Sequence, residues 1–173
     1  MEHSFAYIAG VVVGILVVAV AMYFFGRHAH TDGARKPKFD ERQELIRGRG
    51  YKYAFFCLLA YLVVYGAAGY LVMEPVAGAF LGIMVGVAVY AGYTIWNDAY
   101  FAMNEKRRMY IGLFAVITVI NAVAGISNCV QGRVIQDGRI SGGGSVNLMC
   151  AVLFLVIMVM LLVKEIAARR EDD

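Results

Sequence analysis

The chain has 173 residues and a formal net charge of +3, and 61% of its residues are hydrophobic whereas only 17% are charged. A soluble fold of this size could not bury about a hundred apolar residues while exposing so few charged ones. The composition therefore excludes a soluble globular domain and predicts a protein whose solvent is lipid.

Five apolar segments are long enough, or nearly so, to cross a bilayer. A helix needs roughly 20 apolar residues to span a hydrocarbon core of about 30 Å. None of the five contains Asp, Glu, Lys, Arg or His, and they cover residues 5–25, 53–73, 76–96, 110–127 and 146–163. The predicted fold class is all-α, an integral membrane bundle of five transmembrane helices.

The first 25 residues are predicted to be a retained transmembrane anchor rather than a cleaved secretory signal. No Lys or Arg precedes the apolar run, whose length exceeds the usual 7 to 15 or so residues of a signal. Residues 26–39 follow as a polar, basic stretch with Gly and Pro, which is typical of a flexible cytoplasmic connector.

Residues 40–173 form the third predicted unit, which begins with a short helix lying at the membrane interface. Asp40 can cap this helix together with Gln43, in the arrangement of a capping box. Its basic side chains can reach lipid phosphates. Gly48 and Gly50 then permit a turn into the second span.

The third predicted span carries Gly78, Gly82 and Gly86 at spacings of four residues. Helices in lipid associate through close packing of small residues, so this ridge predicts a contact between helices of the bundle. A contact between copies in a homo-oligomer and the lining of a pore are the alternatives.

Asn121 is a mid-helix amide in the fourth predicted span. It is expected to form an interhelical hydrogen bond worth roughly 0.6 to 2 kcal/mol, with a ligand contact as the alternative. Tyr61 and Tyr65, one turn apart on the second span, could reach it, and core packing is their other role.

The last connection contains Ser-Gly-Gly-Gly-Ser at residues 141–145, a composition typical of a flexible linker. Cys129 and Cys150 flank this connection. They could form a disulfide across the last hairpin or remain free, buried thiols.

Basic residues predict the orientation, because Lys and Arg are retained on the cytoplasmic side. Of the 16 Lys and Arg residues, all but Arg133 and Arg139 flank the segments on one side. The N-terminus is therefore expected outside and the C-terminus in the cytoplasm. A cell membrane, that of a bacterium, is the expected location.

Several classes of chemistry find no support in the sequence. No ionisable group lies within a span, as proton or ion coupling usually requires, and no His is there to bind haem. His28 and His30 lack a second pair of ligands for a metal. We expect no catalytic residues, no cofactor, no metal and no nucleic acid partner.

Polar patterning concentrates instead on the predicted cytoplasmic face. Anionic lipid headgroups are the expected partners there, with a cytoplasmic or membrane protein or a second copy of the chain as further candidates. The candidate interaction face comprises Asp40, Glu41, Arg42, Gln43, Arg47, Arg49, Asp98, Asn104, Arg107 and Arg108.

Two motifs on this face carry a resemblance to a known group of proteins. They are Asp-Glu-Arg-Gln at 40–43 with the basic stretch up to residue 53, and Trp-Asn-Asp-Ala-Tyr at 96–100 with Asn104. The chain resembles small uncharacterised bacterial multi-pass membrane proteins that place a DER-type motif before a transmembrane hairpin. The likeness covers roughly residues 40–165 and implies a membrane protein without naming an activity.

The leading hypothesis is a non-enzymatic membrane protein that contacts lipid headgroups or a partner through its basic cytoplasmic face. A small transporter or channel component, possibly oligomeric, is the alternative. A membrane-embedded enzyme would have to begin from Asp98, Asn104 and Glu105, which are the polar groups available at an interface.

Overall fold

The computed structural model describes residues 37–171, with side chains as far as residue 167, and three isolated residues of the first segment. These three, Leu16, Val20 and Tyr23, are helical and exposed. The predicted anchor and most of the predicted connector otherwise lie outside the described residues. Within the described part, four helices are long and apolar enough to cross a membrane. The membrane class is thereby supported, whereas the count of five spans and the orientation stay predictions.

The described chain consists of four long helices and one small hairpin. A 3-10 turn at Gly69–Leu71 follows the first helix, and the strands β1 (Ile135–Gln136) and β2 (Arg139–Ile140) precede the last. The helices are α1 (Glu41–Ala67), α2 (Pro75–Trp96), α3 (Arg107–Val130) and α4 (Gly142–Glu171).

The helices pack side by side in the order α1, α2, α4, α3. The neighbours α2 and α4 run parallel, because Val76 lies beside Gly142 near their starts and Gly92 lies beside Met160 towards their ends. A small apolar core between α2, α3 and α4 is formed by Ala91, Ile95, Phe114, Leu153 and Ile157.

This arrangement gathers most of the described basic residues at one end of the bundle. We call it the basic end, formed by residues 37–52, 96–110 and 161–167. The opposite end is formed by residues 68–75 and 130–145.

The prediction of a separate interfacial helix was wrong, because α1 runs without a break from Glu41 to Ala67. Gly50 does not turn the chain. It lets α1 approach α2, since a Cβ there would lie 3.2 Å from the Tyr90 ring and 3.3 Å from the Thr94 methyl group. Packing thus offsets the intrinsic cost of about 1 kcal/mol for glycine inside a helix. The predicted capping box is confirmed, with Asp40 Oδ1 accepting from Gln43 N at 2.6 Å.

Two of the three glycines of the predicted ridge lie beneath tyrosine rings of α1. The ring of Tyr65 covers Gly78 and that of Tyr61 covers Gly82. The Tyr61 hydroxyl also donates to the carbonyl of Gly78 at 2.7 Å. Gly86 is more open, since its nearest neighbour to a Cβ is the Ala54 carbonyl at 3.9 Å. Rings of α1 therefore cover this ridge at Gly78 and Gly82 but not at Gly86.

Asn121 does not form the expected interhelical bond. Its amide donates to the carbonyl of Ile117, one turn earlier in α3, at 2.9 Å. A local acceptor was available, as it often is for Asn side chains. Tyr61 and Tyr65 are engaged on α2, so they do not serve as its partners.

The Ser-Gly-Gly-Gly-Ser stretch is folded rather than a free linker, which corrects the prediction. Its glycines form the first turn of α4, where Gly142 N donates to the Glu74 carboxylate at 2.8 Å. Gly144 packs directly against the carbonyl of Arg133. Ser145 Oγ donates to the Ser141 carbonyl at 2.6 Å, and both serines are buried. Gly142 and Gly144 allow this close approach because neither carries a Cβ.

The hairpin before α4 is tied to the turn between α1 and α2. Ile140 N donates to the Val72 carbonyl at 2.8 Å, and Glu74 N donates to the Ile140 carbonyl at 2.9 Å. Asp137 and Gly138 turn the hairpin with positive φ of 48° and 74°, as a tight two-residue turn requires. Cys57, Cys129 and Cys150 are all free.

Replacing Gly144 with alanine is expected to destabilise the protein. The added methyl group would overlap the carbonyl of Arg133, whose own N–H is bonded to Asn128 O at 2.9 Å. Overpacking of this kind typically costs about 1–3 kcal/mol. The measurement is the thermal unfolding midpoint of the detergent-purified protein.

Gly143→Ala is the matched control, because a methyl group there meets nothing closer than Ser141 Oγ at 4.0 Å. Alanine also favours a helix over glycine by about 1 kcal/mol. The G143A variant should therefore melt at or above the wild-type temperature. Equal midpoints for the two variants would contradict the close contact at Gly144.

Candidate functional site at the basic end

The loop between α2 and α3, residues 97–106, is held against the start of α1 by one buried amide. Gln43 is only 9% exposed. Its Nε2 donates to the carbonyls of Asp98 at 3.0 Å and Phe101 at 3.3 Å. The same side chain completes the capping box of α1, with Oε1 accepting from Asp40 N at 3.4 Å. The DER-type motif thus includes the residue that positions the loop.

A second attachment joins this loop to the chain before α1. Lys38 N donates to the side-chain oxygen of Asn104 at 2.8 Å, and Met103 N donates to the Lys38 carbonyl at 3.0 Å. Asn104 is 6% exposed. Residues 37–39 are therefore bound to the loop, which shortens the predicted flexible connector at its end.

The loop is closed internally by Glu105. One carboxylate oxygen accepts from Ala102 N at 2.8 Å and the other from the Tyr110 hydroxyl at 2.9 Å. Burial raises the pKa of the nearby Tyr100 to about 12; the Glu105 charge adds to this, and Arg47 opposes it. Tyr100 is therefore neutral at physiological pH, and its ring packs edge-on against those of Phe101 and Phe114.

An ion pair joins the loop to the end of α4. Lys164 Nζ lies 3.0 Å from Asp98 Oδ2 and also donates to the Trp96 carbonyl at 3.0 Å. Asp98 adopts a left-handed backbone with φ of 57°, which is uncommon outside glycine and found most often at Asn and Asp. The lysine thus fastens a loop residue whose backbone geometry is unusual.

Beside this ion pair lies a cavity of about 110 Å³. Its wall combines two cations, Arg107 and Lys164, with two acids, Asp98 and Glu165. The remaining lining is mostly apolar or aromatic, from Ile95, Tyr100, Phe101, Ile111 and Leu161. The formal charges of the four ionisable groups cancel, so the cavity suits a ligand that carries both signs of charge.

The predicted interaction face divides into bound and exposed side chains. Arg47 is half-buried, with its guanidinium 3.9 Å from the centre of the Phe39 ring and 5.7 Å from that of Tyr90. Arg107 is exposed and lies 5.5 Å from the Phe101 ring centre. The exposed members also include Glu41, Arg42, Arg49 and Arg108. The structure therefore brings Gln43, Asp98, Asn104 and Arg107 together around one loop. It packs Arg47 on aromatic rings and leaves Arg42, Arg49 and Arg108 exposed.

Sequence reasoning missed the contribution of α4. Lys164 entered only as a basic residue at the end of a span, and Glu165 was not considered. A basic and an acidic residue directly after an apolar run was the available signal, but the sequence does not say which loop they meet. Lys38 was likewise assigned to the connector rather than to the site.

In the part of the chain that the structure describes, no group of side chains is arranged for metal binding or for thiol chemistry. No three His, Cys, Asp or Glu side chains there come together as metal ligands would. His28 and His30 lie outside it. Comparison of the chain with protein-family models, curated proteins and solved structures finds no match in any of the three. The resemblance to DER-motif membrane proteins stays a prediction.

Replacing Gln43 with alanine is expected to loosen the loop between α2 and α3. The change removes both donors to the loop and leaves polar groups without their partners, a loss of about 1–3 kcal/mol. The measurement is amide hydrogen exchange at residues 97–106 in detergent or nanodiscs, where exchange should become faster.

Arg42→Ala serves as the control, because Arg42 is exposed and lies one residue away on the same turn of α1. It should leave exchange in the loop at the wild-type rate. Loop exchange that is unchanged in Q43A, or increased equally in both variants, would contradict the assigned role of Gln43.

Proposed function

We propose that the protein is a non-enzymatic component of a cell membrane that binds anionic lipid headgroups through exposed cations at its basic end. The observation that carries the proposal is that these cations have no acidic partner among the described residues. At the basic end, outside the cavity, four exposed basic side chains of the described chain form no ion pair with an acid: Arg42, Arg49, Lys52 and Arg108. Each Lys or Arg near an anionic bilayer surface contributes about 1 kcal/mol to binding.

Aromatic residues at the same end support a position at the level of the headgroups. Tyr51 stacks on Tyr90 with ring centres 4.4 Å apart, and Tyr53 meets Tyr93 edge-on at 5.0 Å. Trp96 is 60% exposed at the end of α2. Tyr and Trp concentrate at membrane interfaces because each has an apolar body and a polar tip. The exposed cations beside them would then face lipid phosphates.

The topology belongs to the same proposal. Five spans, with the N-terminus outside and the basic end in the cytoplasm, agree with the distribution of Lys and Arg. Membership of the DER-motif group is also a proposal, and it rests on the two sequence motifs at residues 40–53 and 96–104. A protein partner at the same face is compatible with it.

The alternative of a transporter or channel has less support. A pore lined by the α2 glycines would need that ridge to be open, whereas rings of Tyr65 and Tyr61 cover Gly78 and Gly82. The groove between α2 and α4 is lined by apolar side chains such as Leu81, Met84 and Val152. Such a surface is suited to lipid tails rather than to a polar solute.

Neutralising exposed arginines at the basic end should weaken its preference for anionic lipid. Trp96 is the sole tryptophan and lies at this end, so its fluorescence reports local lipid through quenching by brominated chains. In proteoliposomes, R42Q/R108Q should lower the ratio of quenching by brominated phosphatidylglycerol to that by brominated phosphatidylcholine several-fold, given about 1 kcal/mol per charge. High salt should reduce the wild-type ratio in the same direction.

The control is R133Q/R139Q, which removes the same charge from the opposite end, where both arginines are exposed. Its quenching ratio should equal that of the wild type. A wild-type ratio near one, or an equal fall in both double variants, would refute binding by the basic end.

A further inference from the structure

We infer that the cavity between the α2–α3 loop and the end of α4 is a binding site for a zwitterionic phosphoethanolamine headgroup, with Arg107 on the phosphate and the Asp98 and Glu165 carboxylates on the ammonium. The inference rests on the proposed membrane location and names a lipid class for one site on the basic end. The exposed arginines outside the cavity attract a lipid according to its net charge, whereas this site distinguishes lipids by the chemical identity of the headgroup.

Arg107 supplies the phosphate end of the site. It lines the cavity, and its one described side-chain contact is the face of the Phe101 ring, 5.5 Å from the ring centre. A guanidinium over an aromatic face keeps its N–H groups directed outwards in the plane of the group. Those donors match a phosphate in bidentate geometry.

Lys164 is less suited to be the main phosphate ligand. Its ammonium already contacts Asp98 Oδ2 and the Trp96 carbonyl, both at 3.0 Å. These contacts occupy two of its three donors. Lys164 instead fixes the wall of the cavity and places the Asp98 carboxylate at its edge.

The carboxylates supply the ammonium end. Asp98 uses one oxygen for Lys164 and is 54% exposed in its side chain, so the carboxylate remains accessible from the cavity. Glu165 follows Lys164 on α4 and lines the same space; it already has a partner, and a carboxylate with two oxygens can accept from further donors. A primary ammonium has three donors for such oxygens, whereas a choline group has none.

Charge and size restrict the ligand further. Two cations and two acids line the cavity, so a net anion gains less there than a zwitterion does. The volume of about 110 Å³ admits a small polar group. Ile95, Ile111 and Leu161 complete the wall with apolar surface, which suits the part of a lipid next to its headgroup.

The test compares two lipids of equal net charge. In proteoliposomes, quenching of Trp96 by brominated phosphatidylethanolamine should indicate an association constant about threefold or more above that of brominated phosphatidylcholine. Arg107→Gln should bring this ratio close to one. Glu165→Gln should reduce it as well, because the ammonium loses an acceptor.

Arg108→Gln is the matched control. Arg108 is the next residue in α3, is exposed and does not line the cavity. R108Q should retain the preference for phosphatidylethanolamine while losing part of the preference for phosphatidylglycerol. Each variant is first checked for a wild-type melting temperature, and an R107Q protein that melts early is replaced by Arg107→Lys, which keeps the charge but loses the bidentate fork.

A second experiment, without a bilayer, distinguishes binding of a lipid from binding of a free headgroup. Glycerophosphoethanolamine is added to the detergent-purified protein, and the shift in melting temperature is compared between wild type and R107Q. A shift that depends on Arg107 without any lipid preference assigns the site to a soluble zwitterion. Lipid preference without this shift assigns it to the bilayer.

Equal quenching by the two lipids together with no thermal shift would overturn the inference, as would equal effects of R107Q and R108Q on the ratio. These outcomes leave the proposed function standing if phosphatidylglycerol still quenches more than phosphatidylcholine. Loss of the phosphatidylglycerol preference alone would overturn the proposed function and leave the headgroup site intact.

Discussion

Hydrocarbon offers no hydrogen bonds to a polypeptide, so each peptide group that enters it must find a partner within the protein. Four long helices meet this demand between residues 41 and 171, and irregular backbone is confined to the two ends of the bundle. At both ends the loops bind back onto helix termini. Gln43 donates to two loop carbonyls at the basic end, and Glu74 accepts from the first N–H of α4 at the opposite end.

Helix contacts illustrate what the sequence could and could not predict about the fold. Regular spacing of Gly78 and Gly82 indicated a contact surface on α2, and rings of α1 do lie on both. A further close approach, at Gly125, where a Cβ would lie 3.0 Å from Leu148 N, was not indicated by any such spacing. Composition likewise suggested that Gly142, Gly143 and Gly144 form a linker. Glycine is compatible with both mobility and tight packing, and only the partner surface decides between them.

The sequence predicted those parts of the candidate site that depend on local motifs. It did not predict the parts that depend on contacts between distant segments. The capping box at Asp40 and Gln43 is local, so spacing alone predicted it. Gln43 also donates to the loop carbonyls of Asp98 and Phe101. These two residues lie 55 and 58 positions further along the chain, so local spacing could not predict the contacts. The continuity of α1 through Gly48 and Gly50 was missed for a related reason, because packing against α2 outweighs the local freedom of the glycines.

Charge is used in two different ways at the basic end. Arg42, Arg49 and Arg108 face outwards, where their fields add and act over about 8–10 Å in physiological salt. Around the cavity, Arg107 and Lys164 are balanced by Asp98 and Glu165, so the summed field there is small and only close contacts distinguish ligands. Under the two proposals, long-range attraction distinguishes headgroups by net charge alone, whereas the cavity distinguishes headgroups of equal net charge. Because the two groups of residues barely overlap, the two properties can be varied independently by substitution.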